Sequence, residues 1–258
     1  MVWFRAPRGT TRVTLLVHHL VVDAVSWRFI FAELVTALRT GQVGPGTGDH
    51  PDWVAEHDRA IGAGAYDAEL PHWLDAAATA AVPLFDVAPG TEGDASALTR
   101  RVGGRAVSEL LAAGTQRPNV VSEVLLAALA AAVCRTLPGV TTLGVDVETH
   151  GRPAATVTDV GWFTSFHPLP LRVAGAADPA VAVAAVRAAT AAVPGDGLGF
   201  LALAYCRPEL PGTAALAAHA RPPVGFNYLG RLDRTVMSGA TRMTVSPGCP
   251  DQRDPAAP

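Results

Sequence analysis

The segment Arg12–His18, RVTLLVH, is a mostly apolar run with β-branched valine and threonine, and it leads directly into the polar residues His18, His19 and Asp23. Strands that face water on one side alternate polar with apolar residues, whereas a near-continuous apolar run is the pattern of a strand covered on both faces. Such a strand restricts the chain to an architecture in which helices flank a sheet. Beyond it, Trp27, Ile30, Phe31, Leu34, Val35 and Leu38 recur at helical spacing, with Ser26 in place as an N-cap and Gly41 as a stop. The intervening VHHLVVDAVSW therefore reads as a strand-to-helix turn carrying His-His-x-x-x-Asp.

The same arrangement recurs downstream. Val121–Leu137 (VSEVLLAALAAAVCRTL) reads as a buried helix, and Thr142–Glu148 (TLGVDVE) as a strand that ends in the polar turn THGRP. Gly161–Leu169 and Val224–Leu229 have the aromatic and β-branched content of strands. Polar, glycine-rich interruptions fall at residues 41–52 and 86–96, and the second is read as the boundary between an N-terminal lobe, residues 1–95, and a C-terminal lobe, residues 96–258. The tail, residues 234–258, is rich in Gly, Pro, Ser and Asp and is expected to be irregular. With 258 residues, 49% of them hydrophobic, the chain can bury the core of one large domain or of two lobes.

Charge and residue usage narrow the function classes. The net charge is −3 and the arginines are scattered, so no basic face invites nucleic acid or an anionic membrane. No apolar run has the length of a membrane span, and the start MVWFRAPRG lacks the apolar core of a signal peptide, which reads as cytoplasmic. Cys134, Cys206 and Cys249 lie far apart without CxxC spacing, which argues against a disulfide framework or a zinc site and suggests buried thiols. All 20 of the Lys+Arg residues are arginine. Without lysine the chain has no internal Schiff base, which removes pyridoxal-phosphate and lysine-based carbonyl chemistry. No metal-ligand cluster is visible either. Taken alone, a histidine at a strand end is more often structural than catalytic, and an isolated glutamate there is usually solvated.

The motif context changes that balance. HHLVVDAVSW resembles the His-His-x-x-x-Asp motif of the condensation superfamily of nonribosomal peptide synthetases, and VETHGR (147–152), VGWFTS (160–165), VPGDGLGF (193–200) and FNYLGRLD (226–233) succeed it in the order of its epimerisation branch. The resemblance runs from about Arg12 to Asp233. It implies an α/β, two-lobed fold similar to chloramphenicol acetyltransferase, incomplete here, because the family's first lobe begins upstream of the histidines and its second extends past FNYLG. The chain is thus expected to be truncated at both ends. Ala24 replaces the glycine usual after the aspartate, a change tolerated by a turn that needs no positive φ.

The resemblance also implies a chemistry. Epimerising an aminoacyl or peptidyl thioester on the phosphopantetheine arm of a carrier protein means removing the α-proton and returning one to the opposite face, which requires a base, an acid and enolate stabilisation. His19 matches the catalytic histidine, Glu148 the catalytic glutamate and Tyr228 the active-site tyrosine. A Glu148 buried between lobes, its charged form disfavoured, would shuttle protons well. His18 is expected to orient the turn. Asp23 is expected to pair with Arg152 in a structural role, since no GxSxG nucleophile motif accompanies it to complete a triad. Trp27 and Trp162 read as core anchors, and the PGDGLGF glycines as a backbone bend and not a nucleotide loop. No cofactor is expected on the chain itself, and the expected partners are a peptidyl carrier protein and neighbouring synthetase domains. Two other readings stay open: a condensing acyltransferase in which His19 assists an attacking amine, and a non-catalytic remnant that docks a carrier.

Overall fold

The computed structural model describes residues 2–5, 11–44, 46, 50–84, 90–117, 119–152, 158–219, 221–230, 235–238 and 241–244. In chain order these form β1 (Val2–Arg5), β2 (Thr11–Thr14), α1 (Ser26–Thr40), α2 (His50–Gly62), α3 (Leu70–Ala80), α4 (Arg105–Gln116), α5 (Val120–Thr136), β3 (Thr142–Thr149), β4 (Ser165–Arg172), α6 (Pro179–Ala191), α7 (Leu198–Cys206), α8 (Thr213–Ala218), β5 (Val224–Phe226), β6 (Thr235–Ser238) and β7 (Thr241–Thr244). The chain divides into two compact units, one of residues 1–56, 152–163 and 229–258 and the other of residues 57–151 and 164–228. This division cuts the chain differently from a boundary near residue 95. Residues 57–95 group with the strands β3 and β4 because α3 packs on both.

The second unit is built on a mixed sheet in the order β4-β3-β5. β3 and β4 are antiparallel, with Val145 opposite Leu169 and Glu148 opposite Phe166, and β5 runs parallel to β3, with Val147 beside Phe226. Leu143, Val145, Leu169 and Leu171 are fully buried against α5 and α6. Burying each of these side chains contributes about 1.5–3 kcal/mol. A one-residue slip would turn them all to the wrong face, so the register is held, and with it the face that Glu148 occupies. Pro168 and Pro170 lie in β4, an edge strand among the described residues, where a missing N–H on the outer side costs no ladder bond. At Gly144 the end of α3 presses directly on β3: a Cβ there would lie 1.8 Å from the Ala80 carbonyl oxygen.

A second core in this unit joins α3, α7 and α8 around Trp73, which is fully buried with Leu203 and Leu216 and donates its indole N–H to Glu69 at 2.9 Å. The bend read from PGDGLGF is present, with Gly195, Asp196 and Gly197 at φ of 52°, 55° and 84°. The glycines also admit close neighbours. A Cβ on Gly199 would fall 2.0 Å from a Glu69 carboxylate oxygen, and one on Gly197 would fall 2.2 Å from His167 Nδ1.

His167 itself is buried at 4% exposure, and among the described residues its Nδ1 has no hydrogen-bond partner. Burial and then His72 push its imidazole down to about 4, with Asp196 acting in the opposite sense. The unfolded imidazole protonates near its ordinary value of 6.5, so the unfolded chain gains protons first as pH falls. Stability is expected to be level above about pH 6.5 and to drop by roughly 3 kcal/mol on the way to about pH 4, since each pH step between the two values is worth about 1.4 kcal/mol. Chemical denaturation at a series of pH values checks this. His167→Asn should flatten the acid limb relative to wild type, and an unchanged limb would show that another group controls it.

In the first unit β1 and β2 form a two-stranded antiparallel sheet, Val2 opposite Thr14. The strand expected over Arg12–His18 stops at Thr14, and Leu16 and Val17 are exposed at 77% and 43%, not covered on both faces. Two features account for the early end: among the described residues β2 has one strand neighbour, β1, and His18 already opens a short 3-10 turn. α1 stops where expected, at Gly41, whose φ of +72° suits glycine. The tail expected to be irregular contains the β6-β7 hairpin, Thr235 opposite Thr244 and Ser238 opposite Thr241. Its polar content concealed two short runs with β-branched Thr and Val. Residues 245–258, including Cys249, lie outside the described residues. Cys134 is half-buried, whereas Cys206 is exposed, contrary to the expectation of buried thiols. Among the described residues no single helix is long and apolar enough to cross a membrane.

Candidate active site

After β2 the chain runs irregularly to His18, whose Nδ1 accepts the Leu20 amide at 3.1 Å and so caps the 3-10 turn His19–Val21. The bond ties the first histidine back onto its own turn. His19, Leu20 and Val21 are exposed on that turn, and the next two residues, Val22 and Asp23, are buried at 2% and 1%. The turn thus presents the second histidine outward while the aspartate anchors it from below.

Asp23 is the centre of a buried polar cluster. Its Oδ1 accepts from the Ser26 amide at 2.7 Å, the Ser26 hydroxyl at 2.7 Å and Arg152 Nη2 at 2.6 Å, and its Oδ2 accepts from the Phe163 amide at 3.3 Å. Its own amide donates to the Gly161 carbonyl at 3.0 Å. Burial alone would push the Asp23 carboxyl up, but the Ser26 hydroxyl and amide and the Arg152 guanidinium together hold it below the ordinary carboxylate value. Ser26 is the first helical residue of α1 and not its N-cap, because Asp23 takes the Ser26 amide. Freed from capping, the Ser26 hydroxyl oxygen accepts from Gly161 N–H at 3.1 Å and Arg152 Nη2 at 2.8 Å, and its one proton lies within reach of Asp23 and the Gly161 carbonyl.

Arg152 completes the cluster. Its Nη1 donates to the Asp159 carbonyl at 2.5 Å and its guanidinium lies 4.1 Å from the Phe163 ring centroid. Lysine could not reproduce a fork that binds on two sides and stacks on its face. Phe163 meets His50 edge-on at 4.7 Å and Trp53 at 4.8 Å, and His50 Nε2 bonds the Trp162 carbonyl at 3.0 Å. Trp162 is 42% exposed and so is not the core anchor expected; its indole meets the His19 ring edge-on at 5.8 Å.

In the other unit, Glu148 and Tyr228 are brought to the same end of parallel neighbours. Val147 pairs with Phe226, so Glu148 lies one residue beyond that pair on β3 and Tyr228 two beyond it on the chain leaving β5. Glu148 is exposed, not buried as expected, and Tyr228 is half-buried. The carboxyl ends of parallel strands are where α/β sheets usually present reactive groups. On β4, Phe166 faces Glu148 in register and carries the Arg221 guanidinium 4.1 Å above its ring, and Arg221 also donates to Asp146 at 2.5 Å. Burial pushes the Asp146 carboxyl up, with Arg221 opposing it. Among the described residues no three His, Cys, Asp or Glu side chains group to hold a metal ion.

Sequence reasoning singled out His18, His19, Asp23, Arg152, Glu148 and Tyr228, and did not point to His50 or to the central place of Ser26 in the Asp23 cluster. Ser26 lies three residues after Asp23, the spacing at which an aspartate accepts a helix-starting amide. His50 carries no local signal, since it is distant in sequence from Trp162 and Phe163, which it touches.

A model of the condensation domain matches residues 4–245. The chain belongs to the condensation-domain family. Among curated relatives, chondramide synthase of Chondromyces crocatus is 35% identical over 243 residues, covering 86% of this chain and 6% of that protein. An N-(5-amino-5-carboxypentanoyl)-L-cysteinyl-D-valine synthase of Amycolatopsis lactamdurans is 34% identical over 241 residues, covering 87% of this chain and 6% of that protein. The condensation-domain fold is also seen in solved structures. The epimerization domain from the third module of tyrocidine synthetase B is similar with a TM-score of 0.61 at 24% identity, over 83% of this chain and 51% of that one. The first condensation domain of the calcium-dependent antibiotic synthetase, in complex with a substrate analogue, has a TM-score of 0.54 at 25% identity, over 87% of this chain and 49% of that one. This condensation-domain chain therefore spans about half the length of the solved domains and a small fraction of the synthases it matches.

Proposed function

We propose that this condensation-domain chain is of the epimerising type and inverts the α-carbon of an aminoacyl or peptidyl thioester carried on the phosphopantetheine arm of a peptidyl carrier protein. The observation that supports this most is that the exposed Glu148 and the half-buried Tyr228 stand at the same end of the parallel strands β3 and β5. Amide formation needs one group to relieve the attacking amine of a proton, whereas inversion needs two proton-transfer groups and a donor for the enolate oxygen. His19 and Glu148 serve as the two proton-transfer groups, and the Tyr228 hydroxyl as the enolate donor. The α C–H bond breaks, its electron pair moves into the enolate, and a proton returned to the opposite face restores the C–H bond. Asp23, Ser26 and Arg152 act beneath the motif turn as its scaffold. Neighbouring synthetase domains would supply the carrier and accept the product.

The likeness to a condensation domain at 25% identity favours a second reading, in which His19 assists an amine attacking the thioester. Heavy water separates the two. With a carrier-loaded substrate, deuterium uptake at the α-carbon and chiral analysis of the released product are expected to show exchange and inversion together. Amide formation without exchange would move the chain to the condensing branch.

A further inference from the structure

We infer that Trp162 is the residue that positions the His19 imidazole, and that His50 is the anchor that sets Trp162 in place. This rests on the reading of His19 as a proton-transfer group. His19 stands exposed on a short 3-10 turn among exposed neighbours, and no hydrogen bond from the buried Asp23 cluster reaches its ring. Among the described residues its ring neighbour is the Trp162 indole, edge-on at 5.8 Å.

The backbone beneath Trp162 is held from three sides. Gly161 on its N-terminal side is bonded to the Asp23 amide and the Ser26 hydroxyl, and Phe163 on its C-terminal side donates to Asp23. The carbonyl of Trp162 itself bonds His50 at 3.0 Å. His50 fits there because residue 161 is glycine: a Cβ at that position would lie 2.2 Å from the His50 ring. The same ring packs edge-on against Phe163, which lies over the Arg152 guanidinium. A single buried cluster therefore fixes both the turn that carries His19 and the segment that carries its aromatic neighbour. A half-exposed indole so rigidly mounted gives the exposed imidazole a surface to rest against, which restricts the directions in which its nitrogens point.

Two measurements on the full chain test this. The first needs no substrate. An imidazole that touches an indole alters its emission, so the tryptophan emission should differ between wild type and His19→Asn, and the difference should vanish when both carry Trp162→Phe. The second is turnover with a carrier-loaded substrate. Trp162→Ala is expected to lower kcat by about tenfold to hundredfold with KM for the carrier unchanged, the scale of loss that a small misplacement of a reacting group produces. Trp162→Phe, which keeps an aromatic neighbour, should recover most of the rate. His50→Ala should lose part of it, and adding His50→Ala to Trp162→Ala should lose no more. Emission unchanged by His19→Asn, or Trp162→Ala with wild-type kcat, overturns the inference. If wild type shows no inversion at all, the proposed function falls while the emission comparison still decides the role of Trp162.

Discussion

Glu148→Gln is expected to slow inversion by about 10²–10⁴-fold, equivalent to about 3–5 kcal/mol of transition-state stabilisation. Glutamine keeps the shape of the side chain and removes its capacity to take up a proton. The residue is exposed at the end of β3, and among the described residues no ion pair or buried hydrogen bond ties its carboxylate to the fold. The substitution should therefore leave the melting temperature and the carrier affinity unchanged. The measurement is α-deuterium exchange and product chirality for wild type and variant, with carrier binding measured in parallel. Inversion at a near-normal rate in Glu148→Gln would remove Glu148 from the chemistry. A fall in carrier binding that matches the fall in rate would make it a docking residue.

Asp23→Ala is expected to act in the opposite way, on stability first, and to cost about 3–5 kcal/mol. The side chains of Asp23 and Arg152 are each 1% exposed, so removing the carboxylate leaves a guanidinium buried without its counter-charge. It also strands the Ser26 and Phe163 amides. Substituting Arg152 by methionine in the same protein should restore part of the loss, because an apolar pair leaves no buried charge. The lowered Asp23 carboxyl gives a pH signature as well: its contribution is present above the ordinary value of 3.8 and is lost only as pH falls through the lower folded value. Thermal unfolding of the two variants checks both points. An unchanged melting temperature with turnover abolished would transfer Asp23 from scaffold to chemistry.

How much of this was legible in the sequence depended on how local the cause was. α1 ending at Gly41, α5 over Val120–Thr136 and β3 over Thr142–Thr149 arise from periodicity, β-branching and a left-handed glycine, all within one segment. The Asp23–Arg152 pair was legible through the motif resemblance and not through spacing, since the two residues are far apart in the chain. Arg12–His18 misled because apolar content says that a segment prefers burial without saying that anything covers it; Leu16 and Val17 are exposed. Trp162 misled for a related reason: an indole has enough apolar area to anchor a core, yet here the backbone bonds of Gly161, Trp162 and Phe163 fix where it points. The exposure of Glu148 and the place of His50 depend on partners from distant segments, which no window of sequence contains.

The parallel pairing of β3 with β5 has a consequence in time. β3 and β4 are joined by residues 150–164 and can zip together soon after either forms, whereas β5 reaches β3 only after residues 150–223 have been laid down and packed. Closing the longer loop costs more chain entropy, and pairings between distant segments are the slow ones. Tyr228 therefore takes its place near Glu148 late, after α6, α7 and α8 have settled. Pulse-labelled amide exchange during refolding should protect Val145 and Leu169 before Phe226, and simultaneous protection would mean that the three strands assemble as one. On this order of events, a lesion anywhere in those three helices delays the arrival of β5 and Tyr228 beside β3 while leaving the β3-β4 pairing on time.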